Sequence, residues 1–215
     1  YYEGTYIKRD MNKAIHYYTL AANQNHTSSQ YALGILYISG IYIDQNVSKS
    51  IYYLKLAANQ NHSEAQCTLG AIYFNGKYIK RNINESIYYL TLSANQNCID
   101  ALNALGSIYL NGKYVKYDIN KSIYYFTQAA NKNDPIAQLN LGIIYCYDKY
   151  FKKDFDKGIY YLTLAANQNL AAAQSHLGLL YLKKEKFDIQ KAFHYLLLAA
   201  DQNDSNANIN LGAFY

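Results

Sequence analysis

The sequence predicts an all-α chain, a right-handed α-solenoid of antiparallel helix pairs with about 36 residues per repeat. Three observations carry this. The block Ala21-Ala22-Asn23-Gln24-Asn25 returns at residues 57–61, 93–97, 129–133, 165–169 and 199–203. The dipeptide Leu33-Gly34 returns at Leu69-Gly70, Leu105-Gly106, Leu141-Gly142, Leu177-Gly178 and Leu211-Gly212, in steps of 36 residues and a last step of 34. Asp or Asn recurs at one fixed point of each copy, at Asp10, Asn46, Asn82, Asp118, Asp154 and Asp188.

Each period holds two helical stretches, which in the first full copy span residues 27–39 (helix A) and 47–60 (helix B). In helix A the column Ser29, Ala65, Ala101, Ala137, Ala173 and Ala207 is always small. The Gly after Leu is kept at Gly34, Gly70, Gly106, Gly142, Gly178 and Gly212. Gly inside a helix costs about 1 kcal/mol against Ala, so its persistence predicts a neighbouring backbone too close for a Cβ. Between the helices the recurring Asp or Asn is placed to cap helix B, accepting from the first free N–H groups. In helix B, Ala14, Tyr17, Tyr18, Ala21 and Ala22 recur at spacings of three and four and share one face. The Ala pair, ending at Ala22, Ala58, Ala94, Ala130, Ala166 and Ala200, admits another helix at close range. Asn25, Asn61, Asn97, Asn133, Asn169 and Asn203 close helix B, where a left-handed residue is expected. Asp134-Pro135 adds a cap followed by Pro at the first helical position.

Residues 1–215 are therefore expected to form a single solenoid of five complete helix pairs with a partial repeat at each end. Hydrophobic residues make up 51% of the chain and charged ones 16%, enough to bury a continuous core, and Pro occurs once, so no linker divides it. The net charge of +5 permits an acidic partner without arguing for nucleic acid. No apolar run reaches the ~18 residues that cross a bilayer, and no basic-then-apolar signal opens the chain. Both Tyr1 and Tyr215 fall inside a repeat, so the chain is read as a segment of a longer protein. Cys67, Cys98 and Cys146 occupy three different repeat positions, which excludes a full disulfide framework and suits reduced thiols in the cytoplasm. Asn-x-Ser/Thr triplets such as 25–27 and 61–63 follow from the abundance of Asn and are not taken as glycosylation sites.

Catalytic signals are lacking. No nucleophile elbow, phosphate-loop lysine, Ser-x-x-Lys or His-Glu-x-x-His occurs, and Cys and His never approach zinc-ligand spacing. His26 and His62 share one repeat position, as do His16 and His194, so they stand apart rather than converge. Neither catalysis nor a cofactor or metal is expected.

Ala65-x-x-x-Leu69-Gly70-x-x-Tyr73-x-x-Gly76, followed by Lys/Glu-Ala/Ser-Ile-x-Tyr and Ala-Ala-x-x-Asn, resembles the Sel-1-like repeat, a branch of the tetratricopeptide superfamily. The resemblance covers the whole chain. It departs at Asn25 and its equivalents, where the family commonly has Gly. It departs also where the Gly of Gly40, Gly76 and Gly112 becomes Asp148 and Lys184, so the A–B turn should differ there and the stack bend differently between about Tyr145 and Phe193. The resemblance implies an adaptor that binds other proteins or peptides, in signalling among other settings. Because such repeats also accompany kinase domains, it admits an alternative: a regulatory or targeting arm of a larger protein such as a protein kinase.

The resemblance also implies that helix A lines the concave wall. Three columns there vary on the constant frame: Tyr31, Cys67, Asn103, Leu139, Ser175, Ile209; then Ala32, Thr68, Ala104, Asn140, His176, Asn210; then Ile35, Ala71, Ser107, Ile143, Leu179, Ala213. They read either as a groove for a peptide or as a solvated face under relaxed constraint. For the groove the candidates are Tyr31, Asn103, Asn140, Ile143, His176 and Leu179, Asn being able to meet a peptide backbone as donor and acceptor. A second column, His16, Tyr52, Tyr88, Tyr124, Tyr160 and His194, should line the outer surface, as a contact ladder or as amphipathic filler. The A–B connections carry Lys8-Arg9, Lys80-Arg81, Lys116, Lys149, Lys152-Lys153 and Lys183-Lys184, a basic edge for an acidic partner or simply solvated loops. The apolar ends, Tyr1-Tyr2 and Ala213-Phe214-Tyr215, allow self-association.

Overall fold

The computed structural model describes residues 10–183 and 187–213. The end residues expected to mediate self-association (Tyr1, Tyr2, Phe214, Tyr215) and the basic Lys8, Arg9 and Lys184 lie outside the described residues. All regular structure among the described residues is α-helical. The helices are α1 (Met11–Asn23), α2 (Thr27–Ser39), α3 (Val47–Asn59), α4 (Ser63–Asn75), α5 (Ile83–Asn95), α6 (Ile99–Asn111), α7 (Ile119–Ala130), α8 (Pro135–Tyr147), α9 (Phe155–Asn167), α10 (Ala171–Tyr181), α11 (Ile189–Ala200) and α12 (Ser205–Gly212). The predicted helices 27–39 and 47–60 are α2 and α3 to within one residue. The chain divides into two compact units, residues 1–105 and 106–215.

The same local chemistry writes every boundary. Asp10, Asn46, Asn82, Asp118, Asp154 and Asp188 all cap helix B, each side chain accepting from the backbone N–H three residues on. Asn25, Asn61, Asn97, Asn133, Asn169 and Asn203 all take the left-handed conformation, with φ from 62° to 69°. Behind Asn61 the chain closes in a Schellman motif: Asn61 N–H donates to the Ala58 carbonyl (3.0 Å) and His62 N–H to Ala57 (3.1 Å). His26 and His62, which looked like isolated imidazoles, are N-caps of α2 and α4, each Nδ1 accepting from a backbone N–H at 3.3 Å. Asp134 caps α8 ahead of Pro135. The departure at Asp148 is real. Gly40, Gly76 and Gly112 are left-handed (φ 66–68°), whereas Asp148 is extended (φ −61°, ψ 132°). Its carboxylate accepts from the Tyr150 N–H at 2.8 Å and the Tyr117 hydroxyl at 2.9 Å.

In the first unit α2 packs on α3 and α4 on α5, and α1 and α3 lie against the helix A that follows each. The constant glycines sit at the A–B contact. A Cβ on Gly70 would fall 2.6 Å from Leu90 Cγ and 3.2 Å from the Leu90 nitrogen; on Gly34, 2.6 Å from Leu54 Cγ. The obstacle is therefore a leucine side chain first and the backbone second, a refinement of the expected backbone approach. In the second unit α8 packs on α9 and α10 on α11, and Gly142 and Gly178 meet Leu162 and Leu196 in the same way, while Gly106 meets the ring of Phe126. At Gly212 nothing among the described residues lies within 4 Å of the Cβ position. Ala22, Ala58, Ala94, Ala130 and Ala166 are buried as expected and Ala200 is half-buried.

One device had no counterpart in the pattern reading. Gln66, 2% exposed, donates to the Ala58 carbonyl (3.0 Å) and to Asn61 Oδ1 (3.3 Å). Its Oε1 accepts from Gln96 Nε2 at 2.7 Å, and Gln96 also reaches Asn61 at 3.0 Å. The trio recurs as Gln30, Asn25 and Gln60 in the first unit, and in the second as Gln138, Asn133, Gln168 and Gln174, Asn169, Gln202. The left-handed Asn thus turns the chain and stitches one repeat to the next. In the remaining copy Leu102 and Lys132 stand at the two Gln positions, so both amides are replaced together.

Candidate partner-binding face

The six groove candidates divide between the units: Tyr31 and Asn103 in the first, Asn140, Ile143, His176 and Leu179 in the second. The column of Tyr31 is turned toward the following repeat. Tyr31 is half-buried and stacks on the His62 ring, centroids 4.8 Å apart, and Ser175 is only 3% exposed. Asn103 is half-buried, and Ile209, near the end of the described residues, is 70% exposed. Tyr31 and Ser175 therefore form less of an open wall than their variability suggests.

The other two columns are more open. Thr68 and Asn140 return a hydrogen bond to their own helix, at 2.7 Å to the Glu64 carbonyl and 2.9 Å to the Ile136 carbonyl. Asn140 therefore spends one N–H internally and keeps the other amide groups for a ligand. Ala71 and Ser107 are exposed, and Ile35, Ile143 and Leu179 are half-buried.

In the second unit these columns converge on Tyr147, which the sequence did not single out, and on Lys183, which it placed only in the basic edge. Tyr147 follows Ile143 by four residues on α8, and Lys183 follows Leu179 by four, just past the end of α10. The His176 and Tyr147 rings lie 5.8 Å apart, and the Lys183 ammonium stands 4.2 Å from the Tyr147 ring centroid. The Tyr147 hydroxyl is buried with no hydrogen-bond partner among the described residues, and burial pushes the phenol up to about 12. Burial also pulls the His176 imidazole below its ordinary value, with Asp204 acting weakly the other way. At neutral pH His176 is thus an uncharged imidazole, donor on one nitrogen and acceptor on the other. Asn140, Ile143, Tyr147, His176, Leu179 and Lys183 together offer two apolar side chains, an aromatic floor, two neutral polar groups and a cation.

The outer column behaves differently. Tyr52 and Tyr88 in one unit, and Tyr124 and Tyr160 in the other, are 57–59% exposed. Each sets an edge against the next tyrosine in the chain at 5.1–5.2 Å. Those partners stack nearly parallel on the last-turn tyrosine of helix A, as Tyr53 on Tyr37 at 6.0 Å and Tyr161 on Tyr145 at 5.9 Å. Of the basic connections, Arg81 donates from Nε to the Phe74 carbonyl at 2.6 Å and closes α4, while Lys113 and Lys149 lie over the exposed Tyr114 and Tyr150 and Lys77 over the half-buried Tyr78. Among the described residues no group of three or more His, Cys, Asp or Glu is placed to hold a metal ion, and no helix is long and apolar enough to cross a membrane.

A family model described as Sel1 repeat matches residues 1–26, 27–62, 63–98, 99–134, 135–170 and 171–204. The chain is similar to the crystal structure of a Sel1 repeat protein from Oxalobacter formigenes, with 28% identity and a TM-score of 0.78 over 94% of this chain and 83% of that one. It shares the fold of c5321, a protective antigen of uropathogenic Escherichia coli strains displaying an SLR fold (22% identity, TM-score 0.51, 100% of this chain and 62% of that one). The same holds for the immunity protein Pa5087 from Pseudomonas aeruginosa (18% identity, TM-score 0.51, 91% of this chain and 74% of that one). No curated protein matches the chain.

Proposed function

The chain belongs to the Sel1 repeat family, and from that premise we propose that it is a non-catalytic scaffold that holds a segment of another protein against helix A. Sel1 repeats are in general a protein-interaction fold, typically without enzymatic activity. The observation that carries the finer reading is the cluster on α8 and α10, where Asn140, Ile143, Tyr147, His176, Leu179 and Lys183 vary away from the repeat pattern while the glycines and leucines behind them do not. Half-buried Ile143 and Leu179 suit an apolar anchor side chain, and Asn140 and neutral His176 suit a peptide backbone. Lys183 favours an acidic residue beside the anchor. Three free thiols fit a reducing, cytoplasmic setting as part of this reading.

A peptide-display selection against the full chain tests it. Enriched peptides should carry an apolar anchor next to an acidic residue. An Asn140→Ala/His176→Ala/Leu179→Ala variant with unchanged helicity should lose at least ten-fold in affinity for them, the ~1.4 kcal/mol expected from removing part of an anchor pocket. Peptides that bind wild type and variant equally would remove this face from the proposal.

A further inference from the structure

The helix A position of Tyr31 and the N-cap position of His62 face each other across consecutive repeats, their rings 4.8 Å apart. One period later the same two positions hold Cys67 and Cys98. The Cys98 thiol lies within hydrogen-bonding reach of Cys67, both are half-buried, and both are free. Cys146 is fully buried in the other unit, beneath Gly158, whose missing Cβ leaves room for its sulfur. The facing positions are matched in kind elsewhere, rings at Tyr31 and His62 and leucines at Leu139 and Leu170, so two thiols fall together by the geometry of the stack.

We propose that Cys67 and Cys98 form a redox-sensitive pair that closes to a disulfide with a low-molecular-weight disulfide oxidant, tying α4 to the start of α6. Burial and the neighbouring Cys98 push the Cys67 thiol up to about 12, so it holds its proton at neutral pH. The Cys98 sulfur displaces one thiol from the oxidant and leaves a mixed disulfide. The Cys67 sulfur then attacks Cys98 Sγ, forms the internal bond and expels the second small thiol. Two electrons pass from the cysteine sulfurs to the oxidant, and the two thiol protons leave on the two released thiols. The bridge encloses α5 in a covalent loop, which restricts the unfolded chain and locks the spacing of two successive A helices.

The test equilibrates the full chain with oxidised and reduced glutathione, traps it with iodoacetamide and measures intact mass and free thiols. The expected product carries one carbamidomethyl group where the reduced chain carries three, free thiols having fallen from three to one, with a Cys67–Cys98 peptide pair and a melting temperature several degrees higher. Cys146→Ser should still close the bridge, whereas Cys67→Ser and Cys98→Ser, each checked for native helicity, should not. Three thiols retained at every ratio, a wild-type adduct that stops at bound glutathione, or a bridge through Cys146 or between chains would each overturn the proposal.

Discussion

Replacing Gly70 by Ala tests the packing logic on which the stack rests. The new Cβ would sit 2.6 Å from Leu90 Cγ and 2.8 Å from Leu90 Cδ2. Carbon atoms pack best at about 3.5–4.0 Å, so roughly an ångström of overlap must be relieved. Leu90 is 1% exposed and has no solvent to swing into, and the Leu90 nitrogen at 3.2 Å limits how far α4 can rotate. Overpacking costs about 1–3 kcal/mol, here the upper part of that range, about 2–3, because Leu90 is hemmed in, while Ala gains about 1 kcal/mol over Gly as a helix former. The net expectation is a loss of about 1–2 kcal/mol, or a melting temperature lower by roughly 2–8 °C for a chain of this size. Gly212→Ala is the internal control. With nothing among the described residues within 4 Å of its Cβ, it should leave stability unchanged or raise it slightly. Far-UV circular dichroism against temperature and urea reads both. Adding Leu90→Ala to Gly70→Ala should cost less than the two single losses combined, because the new methyl group partly fills the cavity. A Gly70→Ala protein as stable as wild type, or a Gly212→Ala protein as damaged as Gly70→Ala, would refute the reasoning.

Three further outcomes follow from particular contacts. Gln66→Leu takes one of its acceptors from the Gln96 amide and removes the bonds to Ala58 and Asn61, so urea denaturation should show a loss of about 1–3 kcal/mol. Adding Gln96→Lys, which recreates the Leu102 and Lys132 combination, should recover at least ~0.5 kcal/mol of it. Asn61→Ala should cost about 1–2 kcal/mol through its left-handed φ of 65° and its two lost acceptor bonds, and Asn61→Gly should cost less because only the bonds are lost. Because burial lowers the folded His176 value below the unfolded 6.5, the unfolded chain takes up a proton first as pH falls. Its contribution is complete above 6.5 and is lost on acidification toward the folded value, so melting temperatures at about pH 7.5 and about pH 5.5 should differ more for wild type than for His176→Gln.

Much of this protein is legible along the chain because much of it is local. An Asp or Asn three residues ahead of a helical N–H, and an Asn able to turn left-handed, act within one turn of helix, so all six B-helix caps and all six terminators follow from residue type and position. The buried columns are as readable, since a 3.6-residue period and a 36-residue repeat sample the same face again and again. Variability alone was the weaker guide. It placed Tyr31 and Asn103 among the groove residues, although Tyr31 is taken up by His62, and it passed over Tyr147 and Lys183 because one closes a helix and the other lies just beyond one, outside the columns compared.

What the chain by itself determined is therefore the set of helices, where each starts and stops, and which stripe of each is buried. Tertiary structure decided the pairings between repeats: Gln66 with Gln96, Tyr31 with His62, Cys67 with Cys98, His176 with Tyr147. These partners lie about thirty residues apart, and whether they meet depends on the offset with which one helix pair seats on the next. Close packing at glycine, leucine and alanine sets that offset, and no run of consecutive residues encodes it.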